Sequence, residues 1–131
     1  MFAELEVGAR GQRELVVEQQ HTALYWGSGL LPVLSTPQMV ALMELAAVEA
    51  VDRKLPPGHQ TVGIHLDVHH LAATPLGMRV TAWAELTAIE GRKLIFHVEA
   101  HDEAGKIGEG THERFIIEVE RFMHKAQMRG K

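Results

Sequence analysis

Residues 36–54 read TPQMVALMELAAVEAVDRK, and every residue from Met39 to Val48 except Glu44 is apolar. A helix that is apolar nearly all round is enclosed by the rest of its chain rather than laid on the surface. Pro37 suits the first helical position, where its missing N–H costs nothing, and Thr36 becomes the expected N-cap. At about 1.5 Å per residue the helix would span roughly 28 Å, the width of a small domain. Pro56-Pro57-Gly58 ends it at Leu55. Glu44 has Val40, Ala41, Ala47 and Val48 three and four positions away. A carboxylate so placed needs partners or stays protonated, which singles it out as a candidate functional group.

The 131 residues around this helix suffice for one well-packed core, and one domain spanning 1–131 is expected. Hydrophobic residues at 46% and charged ones at 23% are ordinary for a soluble globular protein. A net charge of −4 argues against a general nucleic-acid binder. The chain contains no cysteine, which excludes disulfides, thiolate metal sites and cysteine nucleophiles. The start, MFAELEVGARGQRE, has no apolar run resembling a signal peptide, and no stretch is long enough to span a bilayer. The expectation is a cytoplasmic protein without membrane contact.

Ahead of the helix, Arg13–Gln19 is a short β-rich run. HTALYWGSGLLPVLS then reads as a packed loop holding one helical turn. Behind the helix, alternation takes over. In Thr61–Leu71 the even positions Val62, Ile64, Leu66, Val68 and His70 share one face, and His65, Asp67 and His69 the other. Val80, Ala82, Ala84, Leu86 and Ala88 alternate in phase, as do Leu94, Phe96, Val98 and Ala100, with hairpin signals at Glu90-Gly91 and Asp102–Gly105. Gly108–Met123 reads as a last strand with Phe115, Ile117 and Val119 in phase, running into a basic tail. One strand, one long helix and four further strands make an α+β arrangement in which a curved antiparallel sheet wraps the helix, the hot-dog architecture. An open edge strand in so small a sheet gives a physical motive for dimerisation.

LSTPQMVALMELAAVEAV, followed by VHHLAATPLG, IEGRKL, EAHD and IGEGTHERF, closely resembles the fluoroacetyl-CoA thioesterase-like family of hot-dog proteins. The resemblance covers most of the chain, with the motifs in order and at matched spacing. It implies an enzyme that hydrolyses an acyl-CoA thioester, with coenzyme A entering as part of the substrate and no separate cofactor. It also implies a homodimer, or a dimer of dimers, with active sites at the subunit interface. Position by position, it implies Thr36, Glu44 and His70 as catalytic residues. Gly63 would offer a backbone N–H to the thioester carbonyl, and Arg114 of the GTHER motif would bind substrate. Members selective for the fluoroacetyl group carry phenylalanines just before the catalytic threonine. This chain has Gly29-Leu30-Leu31-Pro32-Val33-Leu34, so Leu30 and Leu34 become the expected acyl wall and fluorine selectivity does not carry over. The alternative on the same fold is a non-catalytic module that binds or senses acyl-CoA.

The residue chemistry is compatible with hydrolysis. A histidine titrating near 6.5 suits general-base work, a nearby carboxylate could orient it, and a threonine could attack or position water. Helix geometry limits a literal triad, since eight residues separate Thr36 from Glu44 by about 12 Å along the axis. Each residue also has a plainer explanation: Thr36 as a cap, Glu44 as a structural carboxylate, His70 as a strand-end histidine and Arg114 as a surface charge. His65, Asp67 and His69 share a face that could in principle hold zinc, but no further ligand is apparent. The histidines at 21, 59, 97, 101, 112 and 124 read as surface. Lys106, Arg121, Lys125 and Arg129 could meet CoA phosphates, and no Walker-type glycine loop is present.

Overall fold

The long helix forms as α2, Thr36–Val51, and a single 3-10 turn at Asp52–Lys54 follows it up to Leu55. The computed structural model describes residues 2–131. The cap of α2 is Ser35 rather than Thr36: Ser35 Oγ accepts the Gln38 N–H at 3.2 Å. Two hydroxyls in succession compete for that donor, and the earlier one takes it. Thr36 therefore falls on the first helical residue with its hydroxyl free for another partner. Nor is α2 enclosed on all sides. Met39, Leu42, Met43, Ala46, Ala47, Ala50 and Val51 are buried, whereas Val40, Ala41, Glu44 and Val48 are half-buried and Leu45 is exposed.

The remaining elements are β1 (Arg10–Val16), α1 (Ala23–Trp26), β2 (His59–His70), β3 (Arg79–Glu90), β4 (Lys93–Asp102), β5 (Gly105–Glu118) and α3 (Val119–Arg129). The strands form one antiparallel sheet in the order β1-β3-β4-β5-β2, with α2 against its concave face. This is the expected hot-dog arrangement. Val80, Ala82, Ala84 and Leu86 of β3 and Leu94, Phe96, Val98 and Ala100 of β4 are fully buried, as their alternation requires. The first strand starts earlier than Arg13 because Arg10 and Gly11 pair with Glu85 and Ala84. It ends before the expected Gln19, which opens a 3-10 turn instead. Gly11 lets that strand touch the helix backbone: a Cβ there would lie 2.1 Å from Ala46 O and 2.6 Å from Ala50 N.

Three strands depart from simple alternation. In β3 the register shifts between Leu86 and Ala88, so Ala88 pairs with the outward Ile95 and leaves the phase of Val80 to Leu86. In β2 the register shifts between Gly63 and His65, leaving Ile64 as a bulge residue. Thr61 and Gly63 face the core side opposite Ile116 and Arg114, and after the bulge Leu66, Val68 and His70 do so opposite His112, Gly110 and Gly108. The even-numbered phase therefore holds only beyond Ile64, and Val62 turns outward opposite Phe115. In β5 the inward residues are His112, Arg114 and Ile116, all buried, while Phe115 and Ile117 face out. The apparent apolar phase of Phe115, Ile117 and Val119 belongs instead to the outer cleft that Phe115 and Ile117 share with Phe122 of α3. The chain beyond Glu118 is helical, not a strand continuing to Met123 with a loose tail.

Candidate active site

Two backbone features bring Thr36 and His70 together. His70 is the last residue of β2 on its inward face. The segment before α2 is pinned in place, with Leu34 N–H on Thr74 O at 2.9 Å and Ser35 N–H on His21 O at 2.9 Å. Thr36 Oγ1 then lies 2.8 Å from His70 Nδ1. With the hydroxyl donating, the imidazole is neutral and carries its proton on Nε2. That atom is buried and has no hydrogen-bond partner among the described residues. Burial lowers the His70 pKa from its usual value, and the backbone of Ala72 beside it offsets part of the effect. The ring is thus kept in the form that accepts a proton at neutral pH.

The pair lines a cavity of about 360 Å3 together with Ala23, Ser28, Val33, Leu34, Leu71, Ala72 and Ala73. Leu34, expected as acyl wall, is on the lining and buried. Leu30 is not on it and is 87% exposed.

Glu44, Gly63 and Arg114 form a second group. Glu44 Oε2 lies 3.8 Å from Arg114 Nη1, and a Cβ on Gly63 would come within 3.0 Å of the same carboxylate oxygen. Gly63 itself is open to solvent. Glu44 is not the enclosed carboxylate that its neighbours in sequence suggest, because its side chain is 37% exposed on the open side of α2. It makes no hydrogen bond to His70, so the imidazole–carboxylate pairing of a Ser-His-Asp set is not built within one chain. The length of helix between residues 36 and 44 is the reason.

Arg114 is not a surface charge. It is 7% exposed and donates from Nε to Thr61 Oγ1 at 2.8 Å and from Nη2 to Thr61 O at 3.0 Å. Its Nη1 is 3.2 Å from Nε2 of His112, whose Nδ1–H reaches His65 O at 2.8 Å. His112 is fully buried, a correction to its reading as surface. The signal was present: His112 and Arg114 are two apart on one strand and so share a face. Burial, more than the Arg114 charge, holds the His112 pKa below its usual value.

His65, Asp67 and His69 are exposed and do not converge. Among the described residues, the one set with ligand atoms within 4.8 Å of each other is His97, Glu99 and Glu109. There Glu99 already meets His97 and His101 at 2.8 Å each, and Lys106 lies 3.1 Å from Glu109. Among the described residues no helix is long and apolar enough to cross a membrane.

The family FlK, fluoroacetyl-CoA-specific thioesterase, matches residues 17–120. A protein named fluoroacetyl-CoA thioesterase from Streptantibioticus cattleyicolor is 46% identical over 97 residues, covering 74% of this chain and 70% of the relative. A threonine-to-serine variant of fluoroacetyl-CoA FlK, solved in complex with acetyl-CoA, superposes with a TM-score of 0.91 at 38% identity, covering 97% of this chain and 100% of the other. A hot-dog-like protein from Thermanaerovibrio acidaminovorans superposes with a TM-score of 0.88 at 28% identity, covering 97% and 94%.

Proposed function

The chain belongs to the fluoroacetyl-CoA-specific thioesterase family and is a thioester hydrolase, and from that premise we propose that it cleaves short or medium acyl-CoA esters to the free acid and CoA. The observation that carries the reading is the 2.8 Å contact of Thr36 Oγ1 with His70 Nδ1 on the wall of the 360 Å3 cavity. Thr36 Oγ1 attacks the thioester carbonyl carbon while His70 Nδ1 takes its proton. Collapse of the tetrahedral intermediate expels the CoA thiolate, which receives that proton and leaves the acyl group on Thr36. A water then attacks the ester, again giving a proton to His70, and the acid departs as Thr36 is reprotonated. Thr36 sits at the positive end of α2, which favours the developing negative charge. Gly63, Arg114 Nη1 and Glu44 border a second space, and in this reading that space joins the Thr36–His70 pair of the other subunit around one ester at the dimer interface.

A cavity lined by alanines, Val33, Leu34 and Leu71 suits an aliphatic acyl group, without the aromatic rings expected for fluorine selection. Leu34 contacts that group in this reading. Leu30, being exposed, reaches it only if a second subunit folds it inward. A homodimer supplies such a subunit: β2 is an open edge of 12 residues, with Ile64, Leu66 and Leu45 exposed beside it. A CoA substrate and the lack of cysteine fit a cytoplasmic enzyme.

A second reading is favoured by the openness of Glu44 beside Gly63: the carboxylate activates water directly and Thr36 only orients the ester. The test is release of free CoA thiol from acetyl, fluoroacetyl, medium-chain and aromatic acyl-CoAs, with wild type beside Thr36→Ala, Glu44→Gln and His70→Ala. Rapid-quench mass spectrometry runs in parallel. Turnover lost in Thr36→Ala, with an acyl adduct on Thr36 in the wild type, supports the first mechanism. Turnover retained in Thr36→Ala and lost in Glu44→Gln selects the second. Tight binding with no thiol release from any ester would overturn hydrolysis in favour of a binding module.

A further inference from the structure

Glu44 lies on an open side of α2, yet a productive role beside Gly63 requires it to stay in one place. Among the described residues its one ion-pair partner is Arg114, at 3.8 Å, a contact too long to orient a carboxylate unless the guanidinium is itself immobile. Each of the three nitrogens of Arg114 makes a hydrogen bond. Nε and Nη2 grip the hydroxyl and carbonyl of Thr61, and Nη1 meets His112 Nε2. Thr61 is anchored in turn by Asp52: its hydroxyl donates to Oδ1 at 2.6 Å and its N–H to Oδ2 at 3.0 Å. That hydroxyl therefore accepts from Arg114 and donates to Asp52, which fixes its direction.

Asp52 directly follows α2, the helix that carries Glu44. One helix thus presents two carboxylates to one guanidinium, Glu44 directly and Asp52 through Thr61. The arginine responds to both: burial pulls its pKa down, and Asp52 and then Glu44 push it back up. His112 completes the set. Because its Nδ1–H is committed to His65 O, its Nε2 is a lone-pair acceptor, and the ring adds no charge beside Arg114.

We propose that Asp52, Thr61 and His112 are positioning residues for thioester hydrolysis, fixing the plane of the Arg114 guanidinium so that it holds Glu44 against Gly63. This rests on the reading that Glu44 and Gly63 border the reacting group. The relay acts at a distance from substrate. Its loss lowers kcat while KM stays near the wild-type value, as expected when geometry in the transition state, and not ground-state binding, is what suffers.

The experiment is a double-mutant cycle on the full chain with a turned-over acyl-CoA: wild type, Thr61→Val, Glu44→Gln and the double variant. Thr61→Ser and Asp52→Asn run beside them. Thr61→Val keeps the carbonyl and the volume and removes only the hydroxyl. The expected result is a fall in kcat of about 10-fold or more in Thr61→Val and in Asp52→Asn, with KM within about twofold and recovery in Thr61→Ser. In the Glu44→Gln background Thr61→Val has no further effect, because what it disturbs is already gone. A slowly exchanging Arg114 Nε–H in NMR spectra is present in wild type and Thr61→Ser and lost in Thr61→Val, which reads the immobilisation even where residual turnover is too slow to measure. An equal fall in both backgrounds, or an Arg114 Nε–H unchanged in Thr61→Val, overturns the proposal and leaves Thr61 a purely structural residue. If Glu44→Gln itself turns over like wild type, the role given to Glu44 has failed, a different outcome from a Thr61→Val variant that is fully active beside a dead Glu44→Gln.

Discussion

Replacing Gly63 with alanine separates packing from chemistry at this site. Gly63 has no left-handed backbone to protect, since its φ is not positive, so an alanine meets no strain from the chain itself. What the new methyl meets is Glu44 Oε2 at 3.0 Å, His112 Cε1 at 3.3 Å and Arg114 Nη1 at 3.4 Å. The first contact is the tight one, and it is the far end of a flexible side chain that is 37% exposed. Glu44 can retreat by a few tenths of an ångström into solvent, whereas His112 and Arg114 are held by hydrogen bonds and barely move. The cost to folding is therefore at the low end of overpacking, about 1 kcal/mol, or a Tm lowered by about 4 °C for a domain of this size. Activity suffers far more. The methyl occupies the approach to the Gly63 backbone and holds the ester carbonyl off by about 1 Å, and misplacement on that scale costs about 10²-fold in kcat/KM. Thermal unfolding followed by circular dichroism, together with thiol-release kinetics, reads both quantities on one preparation. A folded Gly63→Ala protein with kcat/KM within twofold of wild type would refute the placement of the reacting group at Gly63.

Gly11→Ala is expected to do the opposite. Its methyl would strike helix backbone at 2.1 Å, which cannot yield without moving α2, so stability falls by about 3 kcal/mol and urea unfolding shifts to a clearly lower midpoint. Acid should weaken the fold through His70 and His112. Both have lowered folded pKa values, so below the unfolded value near 6.5 the unfolded chain binds protons that the folded one refuses. Stability is then full above about pH 6.5, declines as pH falls through the window below it and levels off beneath the folded pKa values; urea midpoints at a series of pH values check this. The same depressed His70 keeps the base form available, so kcat/KM should hold its plateau to a lower pH than an ordinary histidine allows, and a profile already falling at pH 7 would contradict it. For the homodimer proposed above, Ile64→Asp on the open β2 edge should shift the mass measured by light scattering from dimer to monomer, and an unchanged mass would refute pairing through that edge.

The sheet and its helix were legible because β3 and β4 alternate without interruption through the inward residues from Val80 to Leu86 and from Leu94 to Ala100. The site was legible only as a set of residues, not as an arrangement. At residues 35 and 36 both hydroxyls qualify as caps, and only three-dimensional pinning by Thr74 and His21 decides that Ser35 caps and Thr36 is free to meet His70. At Ile64 a single extra residue reverses the face of everything before it. A period-2 pattern read through a bulge puts Val62 on the helix-facing side of the sheet and Gly63 on the outer side when the reverse is true. On β5 Phe115 and Ile117 face outward while the polar pair His112 and Arg114 faces in beside Ile116, which inverts the usual inference from hydrophobicity at those positions. That inversion is itself informative. A small sheet that turns an arginine and a histidine toward its helix forgoes apolar burial at two inward positions, and the partners provided for both, Thr61, Asp52 and the His65 carbonyl, come from the helix end and the bulged edge strand. Local rules of folding fail at the residues that converge on Glu44 and Gly63 and hold from Val80 to Leu86 and from Leu94 to Ala100, the pattern that the proposed role of those residues requires.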